Sequence, residues 1–80
     1  MTKEQILTLL KDSISMLKNK GVEMKKSPEM YNAWKSQWEK VAAEIAILNV
    51  DDRSWLDYEY STWFKENFKE DIKRFNKFQV

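Results

Sequence analysis

This chain of eighty residues has a single glycine and a single proline, which leaves it few places to turn, and the two fall close together at Gly21 and Pro28. Long stretches free of both residues suit helices, because glycine and proline are the strongest local breakers of regular structure. Ile6, Leu7, Leu10, Ile14 and Leu17 recur at helical spacing, and Leu9 and Met16 widen the stripe. The pattern predicts a first helix over about 3–20. Thr2 and Gln5 open it as a capping box, and Gly21 closes it in the left-handed conformation that glycine adopts without steric cost.

Ser27, Pro28 and Glu29 supply a cap, a proline at the first helical position and an acid in the first turn, so a second helix is expected over about 28–49. Its stripe of Trp34, Trp38, Val41, Ile45 and Leu48 alternates steps of four and three, as a packed helix seam does. The run "VAAEIAIL" is apolar almost all round, which puts this helix at the centre. A third helix is expected over about 54–78, capped by Ser54 with Asp57, or by Asp51 or Asp52 if it starts earlier. Leu56, Tyr60, Phe64, Phe68, Ile72, Phe75 and Phe78 line it, with Trp63 at the edge. The expected fold is an all-α, antiparallel three-helix bundle, one domain spanning 1–80. At about 1.5 Å per residue the third helix outruns the first by roughly 9 Å. The loop from Gly21 to Ser27 is the favoured cover for the excess, and a second subunit is the other.

Absences narrow the chemistry. Without cysteine there is no disulfide, thiolate metal site or thiol nucleophile; without histidine the common catalytic pairs and zinc sets are gone as well. The acids Asp51, Asp52, Asp57 and Glu59 lack the spacing and the central glycine of a calcium loop. We therefore expect no enzyme activity, cofactor or metal. The charged N-terminal stretch reads as neither signal peptide nor membrane span, so the expected location is cytoplasmic.

Net charge is only +1, but it is unevenly spread: residues 1–27 carry +3, residues 28–64 carry −4 and residues 65–80 carry +2. The acidity gathers in "DDRSWLDYEYSTWF", residues 51–64, where five aromatic rings stand among four carboxylates. Most of those rings belong to the third helix's stripe. Trp55 and Tyr58 do not, and with Asp51, Asp52 and Glu59 they make a corner suited to a protein partner carrying exposed Lys or Arg. The competing fate for Trp55 is to fold over the turn onto Ile47 or Val50.

Other features have weaker claims. Lys65, Lys69, Lys73 and Lys77 step by four and could track a phosphate backbone, but Glu66 and Glu70 interleave as on a solvated helix face. Tyr31, Trp34 and Trp38 could stack nucleic-acid bases, yet they stand on the second helix's seam, where core is the expected fate. Asn67 and Asp71 fall beside an apolar stripe and belong either at an exposed edge or against a partner group such as a lysine of the first helix. The resulting expectation is a non-enzymatic protein that binds another protein, an inhibitor or adaptor of the kind phages and mobile elements make. Nucleic-acid binding through the lysine ladder is the alternative, and a structural homo-oligomer, such as a homodimer, is the second.

Overall fold

The computed structural model describes the backbone of residues 1–78 and the side chains of residues 1–74. It is all-helical among the described residues: α1 (Lys3–Lys26), α2 (Pro28–Ala46), α3 (Val50–Asn67) and a short α4 (Lys69–Phe78). The expected stripe residues Phe75 and Phe78 have side chains outside the described set.

Local chemistry sets most of the ends. The Thr2 hydroxyl accepts from the Gln5 amide at 3.1 Å, and the Gln5 side chain accepts from the Thr2 amide at 2.9 Å, which completes the expected capping box. Ser27 alone separates α1 from α2. Its amide donates to the Met24 carbonyl at 3.3 Å and its hydroxyl accepts from the Met30 amide at 3.3 Å, so one residue closes one helix and opens the next.

Five expectations need correction. The first helix does not stop at Lys20: Gly21 keeps a negative φ, and residues 21–26 are helix rather than loop. A mid-helix glycine costs about 1 kcal/mol relative to alanine, whereas burying a methionine returns about 1.5–3 kcal/mol. Continuing the helix carries Met24 to 4% exposure, and that gain wins. The second helix ends at Ala46, because Asn49 adopts an extended backbone to cap α3, its side chain accepting from the Asp52 amide at 2.8 Å. The third helix therefore begins at Val50, and Ser54 lies inside its first turns rather than capping it.

The fourth correction is the break at Phe68, which splits the expected single helix 54–78 into α3 and α4. The Lys18 ammonium donates to the Asn67 carbonyl at 3.0 Å and ion-pairs with Asp71 at 3.4 Å, occupying an acceptor that a continuous helix would use. Asn67 and Asp71 are both exposed, and Asp71 meets a lysine of the first helix. Phe68 itself is buried, stacked on Phe64 at 4.6 Å and set edge-on to Trp63 at 5.7 Å.

The central helix is α1, not α2. It packs extensively against both α2 and α3, whose backbones barely approach each other. The Met1 ammonium pairs with Glu44, and the Trp34 indole donates to the Ser13 carbonyl at 3.0 Å, so α1 and α2 run antiparallel. Lys3 lies by Trp55 and Lys18 by Phe68, so α1 and α3 run the same way. Ile6, Leu7 and Leu10 from α1, Val41 from α2 and Leu56 from α3 form the core, with Trp38, Ile45, Leu48, Trp55 and Tyr60 against it. The shape is flat, with extents of 36 × 34 × 17 Å.

Two substitutions probe this account. A Cβ at Gly21 would meet nothing within 4 Å, so Gly21→Ala should raise stability by about 0.5–1 kcal/mol in urea unfolding. A left-handed cap at this position would instead lose stability. The Ser13 hydroxyl is buried without a partner, so Ser13→Ala should be neutral or stabilising, by about 1 kcal/mol at most.

Candidate functional site: an acidic, apolar corner at the α2–α3 turn

Three lysines of α1 lie over three rings that follow in order along α3 and its end. Lys3 stands 4.9 Å from the Trp55 ring centre, Lys11 stands 6.0 Å from Trp63 and Lys18 stands 4.6 Å from Phe68. On α1 the spacings are eight and seven residues, two helical turns each, so the three ammonium groups share one face. Lys3 also pairs with Asp52 at 3.6 Å. The cation that the sequence leads one to seek on an outside protein is thus, at Trp55, supplied from within.

This divides the expected site. Trp55 is half-buried against the core rather than free, and Asp52 is engaged by Lys3 and by the Asn49 side chain at 3.3 Å. Asp51 is exposed, Glu59 is half-buried, and Tyr58 is 70% exposed. The competing reading, Trp55 folded onto Ile47 or Val50, also fails, because those two are the most exposed of the large apolar side chains at 78% and 80%.

Ile47 and Val50 are therefore part of the corner, and sequence reasoning missed them as surface. The available signal was that both lie off the seam of the second helix and beside a turn. Val50, Ser54, Asp57, Tyr58 and Ser61 fall on one exposed face of α3, with about 12 Å of helix rise between Val50 and Tyr58. The corner is three exposed apolar side chains, Ile47, Val50 and Tyr58, with Asp51, Asp57 and Arg53 exposed beside them; Glu59, nine residues after Val50, falls on the opposite side of α3 and is half-buried.

The remaining candidates are dispersed. Lys65 lies on α3 and Lys69 and Lys73 on α4, across the break at Phe68, with Lys73 close to Glu70 at 3.9 Å. The side chain of Lys77 is outside the described residues. Trp34 and Trp38 stack on each other at 5.8 Å and 8° and are half-buried, while Tyr31 beside them is exposed. Tyr31 instead helps line a groove of about 480 Å³ at the α1–α2 tip, with Leu17, Val22, Met24, Lys18 and Lys25. Among the described residues no cluster of three or more acids is placed to hold a metal ion, and no helix is long and apolar enough to cross a membrane.

Tyr60, beside the corner and packed on the core, has its phenol pushed above the ordinary value of 10.0 by burial. The folded state then holds this proton where the unfolded chain releases it. Its contribution is full below pH about 10 and is lost as pH rises above that. Tyr60→Phe should flatten the alkaline fall in stability above pH about 10 while leaving neutral-pH stability nearly unchanged, as read from urea midpoints across pH.

Comparison with known proteins finds no matching family model, no matching curated protein and no matching solved structure.

Proposed function

We propose that the chain is a non-enzymatic, cytoplasmic protein-binding module, an inhibitor or adaptor, that docks through the corner at the α2–α3 turn. The observation that carries this reading is the exposure of Ile47 and Val50 at the turn and of Tyr58 two turns along the same face of α3, with Asp51 and Asp57 exposed beside them. Isolated surface apolar residues are ordinary, but clustered ones rimmed by charge mark contact sites. Tyrosine contributes a large rigid face at small entropic cost, and Asp51 and Asp57 select a partner surface bearing lysine or arginine.

The scaffold in this proposal is an antiparallel three-helix bundle. The opposite running of α2 relative to α1 and α3, and the core shared among all three, support it. The turn at 47–49 is then held from both sides, so the corner is presented on rigid helix ends rather than on a long loop. A phosphate-tracking lysine ladder has less support, because the break at Phe68 takes Lys65 off the helix that carries Lys69 and Lys73.

The test replaces Val50→Ser and Tyr58→Ser together and measures partner capture beside the thermal melt. Both side chains are largely exposed, so the stability change should stay within about 0.5 kcal/mol per site. Partner affinity should fall about thirtyfold or more, the loss expected of a hot spot of about 2 kcal/mol. Unchanged capture would discard the corner, and a large fall in melting temperature would reassign both residues to the fold.

A further inference from the structure

We propose that the joint between α3 and α4 is a latch set by one charge: the Lys18 ammonium holds the chain bent at Phe68, and removing that charge lets α3 and α4 join into one straight helix. The joint is a single residue. Phe68 has φ −120° and ψ 27°, between a helix that ends at Asn67 and one that starts at Lys69. The ladder continues up to it and resumes after it, with the Phe68 amide on the Phe64 carbonyl and the Ile72 amide on the Phe68 carbonyl, both at 2.9 Å. The amides of Lys69, Glu70 and Asp71 form the first turn of α4 and have no partner inside that helix. A continuous helix would give them the carbonyls of Lys65, Glu66 and Asn67.

Two gains oppose each other here. Straightening would form those three backbone bonds, whereas bending buries apolar surface. On a continuous helix Phe68 falls about five turns beyond Val50 and Ile72 about six turns beyond it, so both would take the side on which Val50 is exposed. The bend instead carries Phe68 to 9% exposure and leaves Ile72 half-buried. Burial of an aromatic side chain and three backbone bonds at an exposed site are gains of the same order, so neither geometry wins on them alone.

Lys18 decides between them. Its ammonium donates to the Asn67 carbonyl at 3.0 Å, pairs with the Asp71 carboxylate at 3.4 Å and lies 4.6 Å from the Phe68 ring centre. The first contact competes with the bond that the Asp71 amide would make, and the last requires Phe68 turned inward. One side chain thus holds residues on both sides of the joint. The straight form would add Phe68 and Ile72 to the outer side of α3 that carries Val50, so the latch also governs how much apolar surface that side offers.

Amide hydrogen exchange and ring-to-ring cross-peaks, both by nuclear magnetic resonance on the full chain, test the latch. Lys18→Met removes the charge and keeps the length of a side chain that is nearly half exposed; Lys18→Arg keeps the charge. In Lys18→Met the Lys69, Glu70 and Asp71 amides should exchange about tenfold or more slowly than in the wild-type chain. Cross-peaks between the Trp63 and Phe68 rings, 5.7 Å apart in the bent form, should weaken. Asp71→Asn should move the same amides in the same direction by a smaller factor, and Lys18→Arg should match the wild type. The Ile6, Val41 and Leu56 amides should stay protected throughout, since the core is not touched. Unchanged exchange in Lys18→Met overturns the latch. Faster exchange from Ile72 to Arg74 also overturns it, because α4 would have melted rather than joined α3, and Lys18→Arg behaving as Lys18→Met does removes the charge as the cause.

Discussion

Among the described residues, the extensive packing between helices passes through α1. Its stripe of Ile6, Leu7 and Leu10 reaches Val41 on one side and Leu56 on the other, while α2 and α3 scarcely meet except through those side chains. Burial of each such residue is worth about 1.5–3 kcal/mol, against about 0.5–1 kcal/mol for an exposed cation over a ring. The apolar stripe therefore supplies most of the stability. The lysines do something else. With Lys3, Lys11 and Lys18 each matched to successive rings, sliding α3 by one turn along α1 would misplace all three contacts at once. They fix register, which an apolar seam alone specifies weakly.

Lys18 shows how a register contact becomes a fold decision. Its ammonium takes the Asn67 carbonyl, faces Asp71 and covers the Phe68 ring. A cation is favourable at the negative end of a helix, so α3 is encouraged to end where Lys18 waits for it. The Asn67 side chain bonds back to the Trp63 carbonyl at 2.8 Å, which further loosens the ladder at this point. Phe68 then turns into the protein instead of continuing a straight stripe.

That arrangement separates what was legible in the sequence from what was not. Helices, their approximate number and the caps at Thr2 and Ser27 are local, and residues three apart suffice to read them. The break at Phe68 depends on a lysine 49 positions away, and no window on the third helix contains it. Gly21 failed as a stop signal for the same reason: the gain that overrides it is the tertiary burial of Met24. At the corner, Tyr58 was legible because its position on the helical wheel is incompatible with the core stripe. Trp55 lies half-buried beside the Lys3 ammonium, a contact that no local window contains because Lys3 belongs to another helix. Ile47 and Val50 were passed over because a turn's exposure follows from where its neighbours pack, and Leu48 is the residue of that turn that goes inward.

Few buried residues and much surface have a thermodynamic consequence. Among the described residues only Ile6, Leu7, Leu10, Met24, Val41, Leu56 and Phe68 are buried apolar side chains, in a chain that is 42% hydrophobic. Such a core leaves a thin margin over the entropy of ordering eighty residues. Any molecule that binds only the folded form adds stability by mass action, and that increment is a larger fraction of the total when the margin is thin. With so small a core, a bound partner would supply a larger fraction of the total stability here than in a chain of the same length with a fuller core. Apolar side chains left at the corner follow from placing α1, rather than α2, at the centre: Ile47, Val50 and Tyr58 belong to its neighbours and to the turn between them, on faces that α1 does not cover.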